Sequence, residues 1–389
     1  MTSLLPAPTS PLRRAAGTLL RSPLGTVLES LTAPHGVDRY LELLDPMLAR
    51  DTGRALVTAV HRETDDTTTL TLRPRRWDGH VAGQYVQVGV EVDGRRHVRC
   101  YSVSSSEHRD DGQLTITVHA DRDSTEAGIV SPFLVHEARP GLVVDVSPAQ
   151  GEFALPRRRL DHVLLISGGS GITPVMSILR TLVDEGAPTR ITFLHYARTA
   201  ADVPFADELR DLHGRRPNVD VEVVTTREVG TTGRGLTGHL HPDHLAALTG
   251  APTPDAPTFV CGPTSLIADA TTLWDDAGHA DRLHVERFQL TPAVTPTDDS
   301  GDAAPPTGTV GFATSRTTVA NDGRTILEQA EAAGLTPKAG CRMGICHTCI
   351  APKVSGRVRD VRDGRISGCD PEDVQICISA PVGDVELDL

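Results

Sequence analysis

A chain of 389 residues exceeds the roughly 100 to 200 residues of one ordinary domain, so two or three domains are expected. Hydrophobic residues at 39% beside 23% charged ones exclude a mainly disordered, collagenous or membrane-spanning chain. The formal charge of -13, from 38 basic and 51 acidic residues, argues against general attraction to nucleic acid or to an anionic membrane surface.

From the amino terminus, residues 1–53 carry apolar positions such as Leu19, Leu20, Leu24, Leu28 and Leu31, spaced as short amphipathic helices that Pro23 and Pro34 interrupt. The spacing predicts a helical arm packed on the body, with a docking surface for a membrane or a partner as the alternative. Arg13 and Arg14 precede a broken apolar stretch that is no secretory signal, and no apolar run approaches the roughly 18 residues of a membrane span. The protein is expected in the cytoplasm, at most peripheral at a membrane through a partner. There, seven cysteines point to metal or redox chemistry and not to disulfides.

Over residues 54–156 the pattern becomes short alternating runs (Leu56–Val60, Thr68–Leu72, Tyr85–Val88, Leu114–Val118), which predict an antiparallel β-barrel. Over 157–290 buried-type strands (Val163–Ile166, Ile191–Leu194, Val221–Val224, Thr258–Val260) alternate with helices near 174–185 and 265–277, the order of an α/β domain with a parallel sheet. Residues 291–308, rich in proline, threonine and acid, read as a linker; its 18 residues would reach ~21 to 25 Å. Residues 309–389 form a small third domain with a helix near 325–333 and a terminal strand.

That third domain holds Cys341, Cys346 and Cys349 in the spacing C-x4-C-x2-C, with Cys377 after 27 further residues. A triplet on one wrapped loop plus a distant fourth thiolate is the pattern of plant-type [2Fe-2S] ligation, and Gly340 and Gly344 allow the close backbone approach it needs. Zinc is the alternative, but structural zinc takes two close pairs of ligands. Cys369 competes as fourth ligand, whereas Cys377 lies in an expected strand at 375–379. The segment resembles plant-type ferredoxin domains, which implies a β-grasp fold and a one-electron carrier with a potential on the order of -400 mV.

Upstream, Arg99-Cys100-Tyr101-Ser102-Val103 between two strands and Gly128-Ile129-Val130-Ser131 at a helix start together resemble the flavin domain of the ferredoxin-NADP reductase superfamily. The resemblance implies FAD, in preference to FMN, with Arg99 on its diphosphate, Tyr101 stacked on its ring and Ser102 near N5; free amides at residues 128–131 suit the same diphosphate. Gly168-Gly169-Ser170-Gly171-Ile172-Thr173-Pro174 does not follow the generic dinucleotide spacing, but it resembles the nicotinamide domain of that superfamily, as do Cys261-Gly262-Pro263 and Glu286-Arg287-Phe288. Cys261 and Glu286 would then flank the nicotinamide and Phe288 the flavin, positioning the reacting atoms about 3 to 3.5 Å apart. Arg198 and Arg227 stand where relatives bind a 2'-phosphate. They favour NADPH over NADH, although the tyrosine that plant-type members add has no counterpart near Leu236.

The whole resembles reductase components of bacterial oxygenases, and especially actinobacterial reductases that feed membrane acyl-CoA desaturases. It implies a reductase carrying electrons from NADPH by FAD and a [2Fe-2S] cluster to an oxygenase or fatty-acyl desaturase protein. NADH-dependent supply of an aromatic-ring or haem oxygenase is an alternative. A redox-sensing module without turnover would need a degraded nicotinamide site, yet Gly169, Gly171, Thr173, Cys261 and Glu286 are all present. No haem-binding segment supports a self-contained oxidase.

Overall fold

The computed structural model describes residues 47, 53–92, 94–120, 129–158, 160–228, 233–251, 255–288, 307–340, 342, 344, 348–362 and 364–389. The arm expected over 1–53 and the linker expected over 291–308 lie outside the described residues, save Met47, Gly53, Thr307 and Gly308. Among the described residues no helix is long and apolar enough to cross a membrane.

The alternating runs after residue 53 form β1 (Arg54–Arg62), β2 (Thr67–Pro74), β3 (Tyr85–Val92), β4 (Arg95–Ser102), β5 (Leu114–His119) and β6 (Val143–Val146). They pair antiparallel in the order β4-β3-β6-β1-β2-β5. A bridge between Val103 and Ile116, with the Ser104 amide donating to the Thr115 carbonyl (2.8 Å), joins the two edges and closes a six-stranded barrel. Every second residue points inward, so Val57, Leu70, Leu72, Val86, Val88, Leu114 and Ile116 are fully buried in one core. The helix Val130–His136 covers that core with Val130, Leu134 and Val135.

The second unit is a sheet of five parallel strands, β7 (His162–Gly168), β8 (Arg190–Ala197), β9 (Val219–Thr225), β10 (Thr258–Cys261) and β11 (Leu283–Glu286), in the order β11-β10-β7-β8-β9. Its inner strands β7, β8 and β10 are almost wholly buried because both faces are covered, whereas the edge strands β9 and β11 carry Asp220, Glu222, His284 and Glu286. Leu165, Phe193 and Phe259 pack on one side with the helix Ile172–Asp184; Leu164, Ile166, Leu194 and Val260 pack on the other with Trp274 of the helix Thr264–Asp276.

The third unit has β12 (Thr309–Phe312), β13 (Thr317–Ala320), β14 (Ile350–Asp360), β15 (Glu372–Gln375) and β16 (Ser379–Leu387), ordered β13-β12-β16-β14-β15. β12 and β16 run parallel and the other pairs antiparallel, around the helix Ile326–Ala332, which is the β-grasp arrangement. A capping box starts that helix: the Glu328 amide donates to the Thr325 hydroxyl, and the Glu328 carboxylate accepts from the Thr325 amide (2.9 Å). One expectation is corrected here. Cys377 lies in a turn, Ile376–Ile378, and not in a strand, because the chain leaves its ladder with β14 after Gln375 and the Ile378 amide bonds back to the Gln375 carbonyl (3.0 Å) before β16 begins at Ser379.

Barrel and parallel sheet are joined by one face of the helix Ile172–Asp184. The Ser177 hydroxyl donates to the Ser105 carbonyl (2.7 Å), Arg180 Nη1 donates to the Ser104 carbonyl (2.5 Å), and the Thr181 hydroxyl accepts from the Glu107 amide (3.0 Å). Ala82, Phe153 and Leu155 from the barrel's side extend the same apolar cluster as Leu165 and Phe259, so the two units share a core.

Candidate functional site

In the parallel sheet the strand order reverses between β7 and β10, which opens a crevice at their carboxyl ends. The turn Gly169–Gly171 fills it and runs straight into the helix Ile172–Asp184, two residues earlier than the sequence spacing predicts. A side-chain carbon on Gly171 would stand 2.2 Å from the Cys261 carbonyl oxygen, so only glycine lets this turn meet the loop Cys261-Gly262-Pro263. Gly169 holds a φ of +52° with nothing within 4 Å of where its side chain would be, leaving its backbone facing open space. Thr173 is buried and its hydroxyl donates to the Ser170 carbonyl (3.1 Å); Pro174 sits in the first turn, where a missing N–H costs little.

The last residues of the central strands form a polar row. Cys261 is in register with Ser167 on one side and Glu286 on the other, and Ser167 with His195 beyond. Residues in register on parallel strands share a face, and this is the face that carries Leu165, Phe259 and the barrel contacts. Burial, then the neighbouring Glu286 charge, pushes the Cys261 thiol up, so it stays protonated. Burial pushes the Glu286 carboxyl up to about 7, against a backbone hydrogen bond at Arg287 that lowers it. Ser167 Oγ lies 2.8 Å from His195 Nδ1, and burial brings that imidazole down to about 3, so it is neutral. Phe288 packs against the edge of the same cluster.

On the barrel, Arg99, Tyr101 and Ser102 end β4. The Tyr101 hydroxyl lies 2.9 Å from the Ser131 hydroxyl on the covering helix, and burial pushes the phenol up to about 12, which keeps it neutral. Ser102 is buried, and Val103 and Val130 turn into the barrel core. Ile129 is exposed on the wall of a cleft, while Gly128 lies outside the described residues. The cleft, about 2410 Å³, separates the barrel from the third unit; Arg99 lines one wall, Glu331 and Arg342 the other. Tyr101, Ser131 and Arg99 thus offer an aromatic face, a hydroxyl and a cation, a donor set that fits a flavin and its phosphates.

In the cysteine loop, Cys341 and Cys346 lie outside the described residues. Cys349 and Cys377 are both buried, and the Ile376 amide donates to the Cys349 carbonyl (3.2 Å), which brings the two thiol-bearing segments side by side. Gly344 has a φ of +73°, and a side-chain carbon there would come 2.7 Å from Ile378, so glycine is what allows the loop to close over the turn holding Cys377. The Gln375 amide group fastens the same loop at the Gly344 carbonyl (2.9 Å). Cys369 is exposed, on a segment held by the buried ammonium of Lys353, which donates to the carbonyls of Gly356, Gly368 and Asp370. Buried thiols under a tight glycine loop fit a sulfur-ligated cluster.

Arg198 and Arg227 follow β8 and β9 and are tied together by the Arg227 amide donating to the Arg198 carbonyl (2.9 Å). Arg227 is exposed, whereas Arg198 already reaches Asp66 and Asp202, each at 3.3 Å. Sequence reasoning gave no role to Ser177, Arg180, Thr181 or Arg342. Polar residues on the otherwise apolar helix Ile172–Asp184 were the only signal for the first three.

Residues 55–155 match the oxidoreductase FAD-binding domain family, 165–272 the oxidoreductase NAD-binding domain family, and 313–382 the 2Fe-2S iron-sulfur cluster binding domain family. The chain is 37% identical over 372 residues to the NADPH oxidoreductase of Mycobacterium tuberculosis, covering 94% of this chain and 92% of that one. It is 31% identical to the glycine betaine monooxygenase reductase subunit of Pseudomonas aeruginosa, covering 79% and 86%. Phthalate dioxygenase reductase shares the fold, with a TM-score of 0.58 at 23% identity over 87% of this chain and 98% of that one.

Proposed function

Because this chain belongs to the ferredoxin-NADP reductase superfamily, among the reductases that end in a plant-type [2Fe-2S] ferredoxin domain, we propose that it oxidises NADPH and supplies single electrons to a separate oxygenase component. It is an NAD(P)H-dependent oxidoreductase that uses FAD and a [2Fe-2S] cluster. Together these groups supply a two-electron donor, a converter between two- and one-electron transfer, and a one-electron carrier.

The observation that carries the reading is the polar row of Ser167, Cys261 and Glu286 on the sheet face turned toward the barrel, at the strand-order reversal. Gly169 and Gly171 receive the nucleotide's diphosphate, and Thr173 and Pro174 shape the helix start beneath it. Gly262 and Pro263 form the facing loop. Cys261, as a neutral thiol, and Glu286, which exchanges a proton near neutrality, position the nicotinamide and exclude water from it. Arg99 holds the flavin diphosphate, Tyr101 and Phe288 offer their rings to the flavin, Ser131 orients Tyr101, and Ser102 donates to the flavin ring. Cys341, Cys346, Cys349 and Cys377 ligate the cluster; the burial of Cys377 and the exposure of Cys369 favour the former as fourth ligand. Arg198 and Arg227 favour the 2'-phosphate of NADPH, and the name of the mycobacterial relative points the same way. The oxygenase acceptor rests on the names of relatives such as the glycine betaine monooxygenase reductase subunit.

Anaerobic mixing with NADPH or NADH, followed by flavin bleaching and by electron paramagnetic resonance of the cluster, tests this. The expected result is faster bleaching with NADPH, a preference reduced by Arg227→Ala. Cys377→Ser should abolish the paramagnetic signal while bleaching persists, and Cys369→Ser should leave both intact. An NADH preference, or a cluster that survives Cys377→Ser and not Cys369→Ser, would overturn the corresponding assignment. Oxygenase and fatty-acyl desaturase components, each assayed with the reduced protein, decide the acceptor.

A further inference from the structure

Arg342 follows the first cysteine of the loop and has a φ of +60°, a left-handed conformation that side chains other than glycine rarely take. Something must hold it there. Its two terminal nitrogens both bind the Glu331 carboxylate, Nη1 to Oε2 at 2.8 Å and Nη2 to Oε1, on the helix Ile326–Ala332. Its Nε is buried and has no hydrogen-bond partner among the described residues. Arg342 and Glu331 line the cleft from the third unit, and Arg99 lines it from the barrel.

Arg99 is similarly underused. Its Nη1 turns back to the carbonyl of Val98 (2.8 Å). Burial, and next the charge of Arg342, hold its guanidinium below the usual arginine range, while Glu331 acts in the opposite sense. Two guanidiniums therefore repel across a cleft with one carboxylate near both, which leaves an excess of one positive charge. Such an arrangement is costly unless an anion occupies the space between.

We propose that Arg342 of the cysteine loop joins Arg99 of the barrel in binding the diphosphate of FAD, so that the [2Fe-2S] domain completes the flavin site. The inference rests on the reading of Arg99 as a diphosphate ligand. Glu331 aligns Arg342 and offsets part of its charge, and the planar fork of a guanidinium suits phosphate oxygens better than an ammonium would. Flavin retention then depends on the third unit being docked on the barrel.

The test uses the full-length chain stripped of flavin, with its cluster intact, titrated with FAD and with riboflavin, which has no phosphate, while flavin fluorescence is followed. Arg342→Gln should weaken FAD binding by roughly 10- to 100-fold, the effect of losing a charge-assisted hydrogen bond. Riboflavin binding should hold within about threefold, and Arg342→Lys should recover part of the loss. The cluster's absorbance and paramagnetic signal, unchanged in these variants, would show that the loop remains folded. Equal weakening of FAD and riboflavin, or loss of the cluster signal in both variants, would make Arg342 only a fastener of the loop and overturn the proposal. If Arg99→Gln selectively weakens FAD and Arg342→Gln does not, the proposal fails and the Arg99 reading stands; if neither does, the Arg99 reading fails with it.

Discussion

Glu286 should make the stability of the parallel-sheet unit fall as pH rises. Burial pushes its carboxyl up to about 7, whereas an exposed glutamate titrates near 4.3. Between those values the folded chain keeps a proton that the unfolded chain has released, so the folded state loses stability through that window. Each tenfold difference in proton affinity is worth about 1.4 kcal/mol, which makes the full cost roughly 3 to 4 kcal/mol by pH 8. Glu286→Gln stays neutral and escapes it. The assay is urea unfolding without nucleotide, read by the fluorescence of Trp274, which is buried in this unit, in a Trp77→Phe background that removes the other tryptophan. The variant and its parent should agree within about 1 kcal/mol at pH 4.5, and the variant should be more stable by roughly 3 kcal/mol at pH 8. A difference that stays constant between these pH values would refute the argument, because only a proton held by the folded state produces the slope.

Two further substitutions probe the crevice and the joint. Gly171→Ala places a methyl carbon 2.2 Å from the Cys261 carbonyl oxygen, and the backbone on the other side cannot yield. Urea unfolding should show a loss of about 1 to 3 kcal/mol, with NADPH binding weakened when titrated by flavin bleaching. Arg180→Ala removes the bond to the Ser104 carbonyl, the pair with Glu208 and the contact over the Phe205 ring at 4.6 Å. Barrel and parallel sheet should then melt as two resolved calorimetric transitions in place of one, with an interface weaker by about 1.5 to 3 kcal/mol.

Much of the scaffold was legible because it depends on local pattern. Alternation at Leu70 and Leu72 marks a half-buried strand, and the unbroken apolar run Val163–Ile166 marks a strand covered on both faces. Motif spacing was equally direct for the strand-to-helix turn at Gly169 and Gly171. What depended on distant partners was less visible. The turn at Cys377 is apolar on both flanks, and its Ile376-Cys377-Ile378 run has the composition of a strand, so only the ladders that β15 and β16 each form with β14 show that the run belongs to neither. Arg198 reads as a free cation in the sequence, yet Asp66, on the barrel, already reaches it. Arg180 and Arg342 gain their meaning from other units, and no window of neighbouring residues contains that information.

The joint made by the helix Ile172–Asp184 is also lopsided in its chemistry. In each of its three hydrogen bonds the helix offers a side chain, Ser177, Arg180 or Thr181, and the barrel offers a main-chain group of Ser104, Ser105 or Glu107. Main-chain groups survive any substitution that keeps the path of the chain. The side chains of residues 104–107 answer to the barrel, through bonds such as Ser104 Oγ to Thr115 and Thr117 and the Ala82 amide to Glu107, while the part of the recognition that these three bonds carry is inherited with the helix. In a recombined reductase, a foreign barrel should be accepted where its loop follows the same course and its apolar residues fit the shared core, and a foreign nicotinamide module only if it brings those three side chains with it.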